Sequence, residues 1–229
     1  METNTKSNGY QITQTIIRFP DLRFQARDAH KLRGFFGNLF KEHSPLLHNH
    51  FEDGSLRYAY PLVQYKVVDK VPMLTGFGEG GRLLINLFLK IKKLDIDGVE
   101  YALNAKNIEN KIIELGELST LIEYRFKTLW MALNQKNFKQ YSNLKTDIEK
   151  STFLDKQLQN NILSFYKGIG FYVNERIMVN GHYKEKTTLY KNKKMLAFEG
   201  DFVTNALLPD YIGIGKSTSR GFGTILKSN

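Results

Sequence analysis

Cysteine is absent from the 229 residues, which removes disulfide frameworks, thiolate zinc sites and thiol nucleophiles at once. Nowhere do about 18 apolar residues run together, so no helix is expected to span a membrane. The first residues, Met1 to Gly9, are polar and carry no apolar signal core. Long polar or low-complexity tracts are missing too, and with 41% apolar residues the chain can bury a proper core. Negative charge is scarce, with 23 Asp+Glu against 33 Lys+Arg and a formal charge of +10. Such a balance favours a polyanionic partner, either nucleic acid or an anionic membrane surface. The length suits one large domain or two small ones, and the expectation is a soluble, cytoplasmic protein without a membrane anchor.

Convergent carboxylates are also lacking. Asp95 and Asp97 fall at a strand and its turn, and Glu52-Asp53-Gly54 reads as a loop bend. A two-metal nuclease needs several carboxylates around one point, and nothing in the spacing specifies such a set. A nucleotide-binding P-loop is absent as well, although Gly215-Lys216-Ser217-Thr218 resembles the end of one. That motif needs a glycine five positions before Gly215, where Asp210 stands, and a helix afterwards.

What stands out instead is the stretch Gly213-Ile214-Gly215-Lys216-Ser217-Thr218-Ser219-Arg220-Gly221-Phe222-Gly223. Two Gly-apolar-Gly triplets flank five polar residues, two of them cationic. Glycines admit backbone conformations closed to other residues and allow close approach. Exposed amides beside Lys216 and Arg220 would suit a phosphodiester backbone.

Periodicity organises the rest. A β-branched segment over Tyr10–Phe19 ends at Pro20. Asp28 then caps a helix whose apolar face is Leu32, Phe35, Phe36, Leu39 and Phe40, with His30, Arg33, Gly37 and Lys41 opposite. Strands are expected over Arg57–Val67 and Val71–Gly76, a helix over Glu79–Lys92 and a fourth strand over Leu94–Leu103, turning at Asp97-Gly98. That order is the split βαβ, or ferredoxin-like, arrangement. The pattern restarts near Ser119, where Ile122, Tyr124, Phe126 and Trp130 alternate with charged residues. A helix over Asp147–Lys167 follows, with Gly168 as its C-cap. A hairpin of Glu175–Tyr190 and Met195–Thr204 comes next, then the glycine-rich loop and a tail strand at Thr224–Leu226. The fold class is therefore α+β, with two tandem ferredoxin-like (RRM-like) domains over residues 1–115 and 119–229.

Three of the five histidines, His43, His48 and His50, fall within eight positions in a polar loop. Histidine exchanges a proton near neutral pH with little tuning, so general acid–base work is one reading. A metal site completed by Glu52, Asp53 or His43 is a second, and ordinary loop histidines a third. Lys184, Lys186, Lys191, Lys193 and Lys194 crowd the later hairpin, as a duplex grip or as a solvated edge.

Together the glycine loop, the duplicated pattern and the histidine loop resemble the CRISPR repeat-processing endoribonucleases of the repeat-associated mysterious protein superfamily. The superfamily's C-terminal signature is matched at Gly213, Gly215, Gly221 and Gly223. Leu32-Arg33-Gly34-Phe35-Phe36-Gly37-Asn38 and Leu207-Leu208-Pro209-Asp210-Tyr211 are similar to the branch with a histidine pair in its first half. The resemblance implies cleavage of CRISPR repeat stem-loop RNA without metal or cofactor. The substrate's 2′-hydroxyl attacks the adjacent phosphorus, leaving a 2′,3′-cyclic phosphate and a 5′-hydroxyl. It further implies His48 and His50 as the catalytic pair, supported by His43, Lys41 and Tyr58. RNA contacts would come from Gly213, Gly215, Lys216, Ser217, Arg220, Gly221, Gly223 and Arg33. Other effector subunits and a second copy of the chain are compatible partners. The glycine loop also occurs in superfamily members that bind RNA without cutting it, so a non-catalytic subunit of an RNA-guided effector complex is the rival reading.

Overall fold

A computed structural model describes residues 10–39, 60–190 and 193–228. They divide into two compact units. The N-terminal unit comprises residues 11–39, 60–113 and 218–221; the C-terminal unit comprises residue 10, residues 114–217 and 222–228.

The N-terminal unit is built on β1 (Tyr10–Arg18), β2 (Val63–Val68), β3 (Val71–Phe77) and the first part of β6 (Asn107–Phe126), in the spatial order β2-β3-β1-β6. Helices α1 (Ala29–Leu39) and α2 (Glu79–Phe88) are the two crossovers of a ferredoxin-like unit. Asp69 and Lys70, both at positive φ, make the two-residue turn between β2 and β3. On one face of this sheet Ile17, Val63, Tyr65, Val67 and Leu74 pack with Leu32 and Phe36 of α1 and Leu84 and Leu87 of α2. Phe36 stacks on both Phe19 and Tyr65, at 6.3 and 5.8 Å. The helix begins at Ala29, directly after Asp28 as the sequence suggests, and it is preceded by a single 3-10 turn over Ala26–Asp28 with Gln25 at its N-cap.

The fourth strand departs from the sequence expectation. Residues 94–103 form a separate two-stranded ribbon, β4 (Lys93–Ile96) with β5 (Val99–Ala102), turning on Asp97 and Gly98 at φ 55° and 78°. The sheet position is taken by the start of β6, where Asn110 accepts from the Thr15 hydroxyl at 2.8 Å and Glu109 pairs with Arg18 at 3.1 Å. A tight Asp-Gly turn closes the ribbon on itself, so those eight-odd residues cannot also run as one long strand.

In the C-terminal unit the later part of β6, β7 (Val179–Tyr190), β8 (Lys193–Leu207) and β9 (Ile225–Lys227) line up as β7-β8-β6-β9, each pair antiparallel. Strand β6 thus runs without a break through residues 116–118, and its pairing with β8 shifts register between Glu117 and Ile122. After it come α3 (Gln135–Ser142) and α4 (Asp147–Gly168). Thr146 caps α4 by accepting from Glu149 N–H, and Glu149 reaches back to the Thr146 amide. Leu154, Leu158, Ile162 and Phe165 face the core, as the spacing predicts, whereas Ile148 is 80% exposed. Trp130 is fully buried, stacked on Phe126 at 5.2 Å, and its Nε1 donates to Asn161 at 3.1 Å. The strand order of the N-terminal unit recurs here, with one substitution: between the third and fourth strands, β8 and β9, a loop replaces the second helix. Among the described residues no helix is long and apolar enough to cross a membrane.

Candidate functional site

That loop, Leu208 to Thr224, carries the glycine signature. Its two ends zip together as a narrow antiparallel ribbon. Ile214 N–H donates to Gly223 O at 2.8 Å, Tyr211 N–H to Ile225 O at 2.9 Å and Ile225 N–H to Ile212 O at 3.0 Å. The ribbon is tied to the segment after β6 by Gly223 N–H to Leu129 O at 2.8 Å and Lys216 N–H to Met131 O at 3.0 Å. Ile212 and Ile214 point inward and are fully buried.

The glycines are explained by this packing. Gly215 has φ +100°, and a Cβ there would lie 2.6 Å from Trp130 Nε1 and 3.0 Å from Met131 O. Both the conformation and the space exclude a side chain. At the other end, Thr218–Arg220 form a 3-10 turn closed by Gly221 N–H to Thr218 O at 3.2 Å. Gly221, at φ +86°, lies against Ala29 of α1 and the β2 backbone at Tyr65. The amides of Ile214, Lys216, Gly221 and Gly223 therefore donate to protein carbonyls, not outward as an open anion cradle. Of the polar side chains between them, Lys216 is exposed, and Ser217 and Arg220 are half-buried.

Next to Gly221 on β2 stands Lys66, whose side chain is completely buried. Burial pushes its ammonium down to about 7 from the ordinary lysine value. Gln64 on the same strand and Thr75 opposite it on β3 are also fully buried, and Thr75 Oγ1 has no hydrogen-bond partner among the described residues. This burial is hidden in the sequence, because Gln64 and Lys66 alternate with Val63, Tyr65 and Val67 as a solvent-facing edge would. Arg33, on the half-buried flank of α1, acts on Tyr65: burial raises the phenol's pKa and the guanidinium opposes that rise.

His43, His48, His50, Lys41 and Tyr58 all lie in residues 40–59, outside the described residues. The two remaining histidines are among the described residues. His30 Nδ1 is 2.6 Å from Arg27 O at the start of α1, and His182 is exposed on β7, 3.6 Å from Asp201. Among the described residues no three His, Asp or Glu side chains converge on one point. The β7–β8 hairpin is a ribbon of paired residues running from Val179↔Thr204 to Tyr190↔Lys193. Lys184, Lys193 and Lys194 are exposed on it, whereas Lys186 pairs with Glu199 at 3.1 Å.

Two ferredoxin-like units in tandem, with a glycine-rich loop closing the second, are the architecture of a CRISPR-associated RNA endonuclease. The family is found by both halves of the chain: the Cas6b N-terminal domain matches residues 10–114 and the Cas6b C-terminal domain residues 116–228. The chain belongs to the Cas6b family. A crystal structure of Cas6b is similar at 33% identity with a TM-score of 0.91, over 96% of this chain and 100% of that one. A second, described as the CRISPR RNA processing endoribonuclease Cas6b, is 31% identical with a TM-score of 0.78, over the same shares of the two chains. An uncharacterised protein of Methanocaldococcus jannaschii is 34% identical over 142 residues, 62% of this chain and 96% of its own length.

Proposed function

We propose that the protein cuts the repeats of CRISPR precursor transcripts into mature guide RNAs, by attack of the substrate's own 2′-hydroxyl and without a metal ion. The observation that carries this reading is the two-part Cas6b match, which spans the chain from residue 10 to residue 228. The structural likeness at 31% identity to a CRISPR RNA processing endoribonuclease supports it.

In this reaction a base takes the proton from the 2′-hydroxyl, the 2′-oxygen bonds to phosphorus, and the 5′-oxygen of the next nucleotide departs with a proton from an acid. The products are a 2′,3′-cyclic phosphate and a 5′-hydroxyl. His48 and His50 are the pair assigned to proton transfer, with His43, Lys41 and Tyr58 in support. A lysine among them would stabilise charge growing on the phosphoryl oxygens. Lys216, Ser217 and Arg220 contact the RNA backbone, with Arg33 as a further cation. The glycines at 213, 215, 221 and 223 act by fixing the path that presents those side chains. The repeat stem-loop is held chiefly through backbone and shape, with unpaired bases read individually.

The double substitution His48→Ala with His50→Ala tests the assignment. Cleavage should disappear while repeat RNA binding stays within about tenfold, since phosphate contacts are untouched. Equal loss of binding and cleavage would give the histidines a recognition role instead. A wild-type protein that binds tightly but never cuts would be the non-catalytic subunit.

A further inference from the structure

The C-terminal unit holds a cavity that none of the assigned residues explains except at its rim. Its volume is about 530 Å³, within the roughly 300–1,000 Å³ of small-molecule sites. Met131 and Leu133, on the segment after β6, form part of the wall, with Phe138 from α3 and Tyr190, Met195 and Leu196 from the β7–β8 hairpin. Lys194, Lys216 and Ser217 line it too, with the carboxamides of Asn134 and Gln135. No aspartate or glutamate is among the lining residues, and among the described residues no carboxylate pairs with Lys194 or Lys216.

We propose that this cavity receives one unpaired nucleobase of the bound RNA, with its flanking phosphates on Lys194 and Lys216. The proposal rests on the protein's being an RNA enzyme of the kind argued above.

Three features select that occupant. Phe138 is 47% exposed, an aromatic ring left in water although it borders an apolar cavity. Such a ring offers a stacking face that any base can use. The opposite aromatic, Tyr190, is held edge-to-face by Phe222 at 6.1 Å between centroids. Phe222 is the apolar member of the second Gly-apolar-Gly triplet, so the signature loop itself fixes a wall of the cavity. The charge is the third feature: two ammonium groups beside apolar walls suit a flat guest carrying phosphates, and they oppose a cationic or purely aliphatic one. The amide of Lys216 donates to Met131 O, another lining residue, which anchors the backbone of this cation beside the cavity.

The test uses repeat RNA from the CRISPR array of the same genome, with a single abasic nucleotide walked along its unpaired positions. Affinity is measured for the wild-type protein, for Phe138→Ala and for Phe138→Tyr, and cleavage of the intact repeat by the wild type is recorded alongside. One abasic position should weaken wild-type binding roughly tenfold, in line with loss of one base–aromatic stack. That penalty should fall to within about twofold in Phe138→Ala and persist in Phe138→Tyr, which keeps the ring. No sensitive position, or an equal penalty in the alanine variant, overturns the base pocket, as does failure to bind the repeat at all. Cleavage without abasic sensitivity removes the pocket and leaves the enzyme. An abasic penalty that depends on Phe138, without cleavage, keeps the pocket and removes the enzyme.

Discussion

Lys66 and Gly215 show how differently two single residues constrain this protein. Lys66 is fully buried on β2, and burial brings its pKa down to about 7. In the unfolded chain it stays protonated up to about 10.5. Between those values the unfolded state binds the extra proton, so stability rises with pH across the window. Below about pH 7 both states carry the charge, and the folded state bears the full penalty of burying it. That penalty is at most about 5 kcal/mol on the difference between the two values. Lys66→Met should therefore raise the urea midpoint at pH 6 and flatten the rise between pH 7 and 10. A variant whose midpoint keeps the wild-type slope would place the titration elsewhere.

Gly215 acts through shape. A β-branched side chain at φ +100° would also meet Trp130 and Met131. Gly215→Val should lose about 2–5 kcal/mol of stability from backbone strain and overpacking together. Denaturant unfolding measures it directly, and an unchanged midpoint would mean that the loop moves off Trp130 without penalty. The glycine spacing was plain in the sequence, but its physical reason was not. It read as an open cradle of amides, whereas four of those amides bond to protein carbonyls and the glycines serve close packing. Which carbonyls lie opposite a loop is a matter of tertiary contact, and no local pattern encodes it.

Among the elements, those with a strong period and explicit caps were the legible ones. Helix α4 was expected over Asp147–Lys167 and spans Asp147–Gly168. Its stop lies two residues beyond the expected glycine. Gly170, at φ +85°, donates to Lys167 O at 3.2 Å, and Phe171 N–H reaches Tyr166 O at 2.9 Å. Phe171 also packs edge-on against Tyr166 at 5.0 Å, completing a Schellman closure. With glycine at both 168 and 170, local sequence offers two stops, and the ring contact selects the second. The N-terminal cap is equally explicit, so Thr146→Ala should destabilise the protein by about 1 kcal/mol in urea titration. No loss would imply that the Glu149 carboxylate holds the first turn alone. Residues 94–103 and β6 misled the reading for a shared reason. A long polar strand such as β6 has few buried positions to betray it, while the short β4–β5 ribbon alternates as a sheet strand would. Helix α3 has only a faint pattern because only Tyr141 of its eight residues is buried, so the helix-forming stretch is clearest from Asp147 on.

Across the whole chain the same strand order occurs twice, once with two helices and once with the second helix exchanged for the glycine loop. That exchange places the signature directly before β9, the short strand that completes the second sheet. The duplicated α+β class was readable because periodicity survives in each half even where residues do not repeat. The base cavity was not readable, since its walls come from residues 131, 138, 190 and 216, far apart in sequence. The histidine pair stood out by composition alone, and its role is a matter of chemistry.

That chemistry is tested most directly by incubating the purified protein with repeat RNA of its own genome in excess EDTA, followed by end-group analysis. One cut should appear, with a 5′-hydroxyl on one fragment and a 2′,3′-cyclic phosphate on the other. The same RNA with a single 2′-deoxy residue at the cut should remain intact, because the nucleophile is gone. Cleavage that needs added magnesium or manganese, or that proceeds on the 2′-deoxy substrate, would contradict the mechanism.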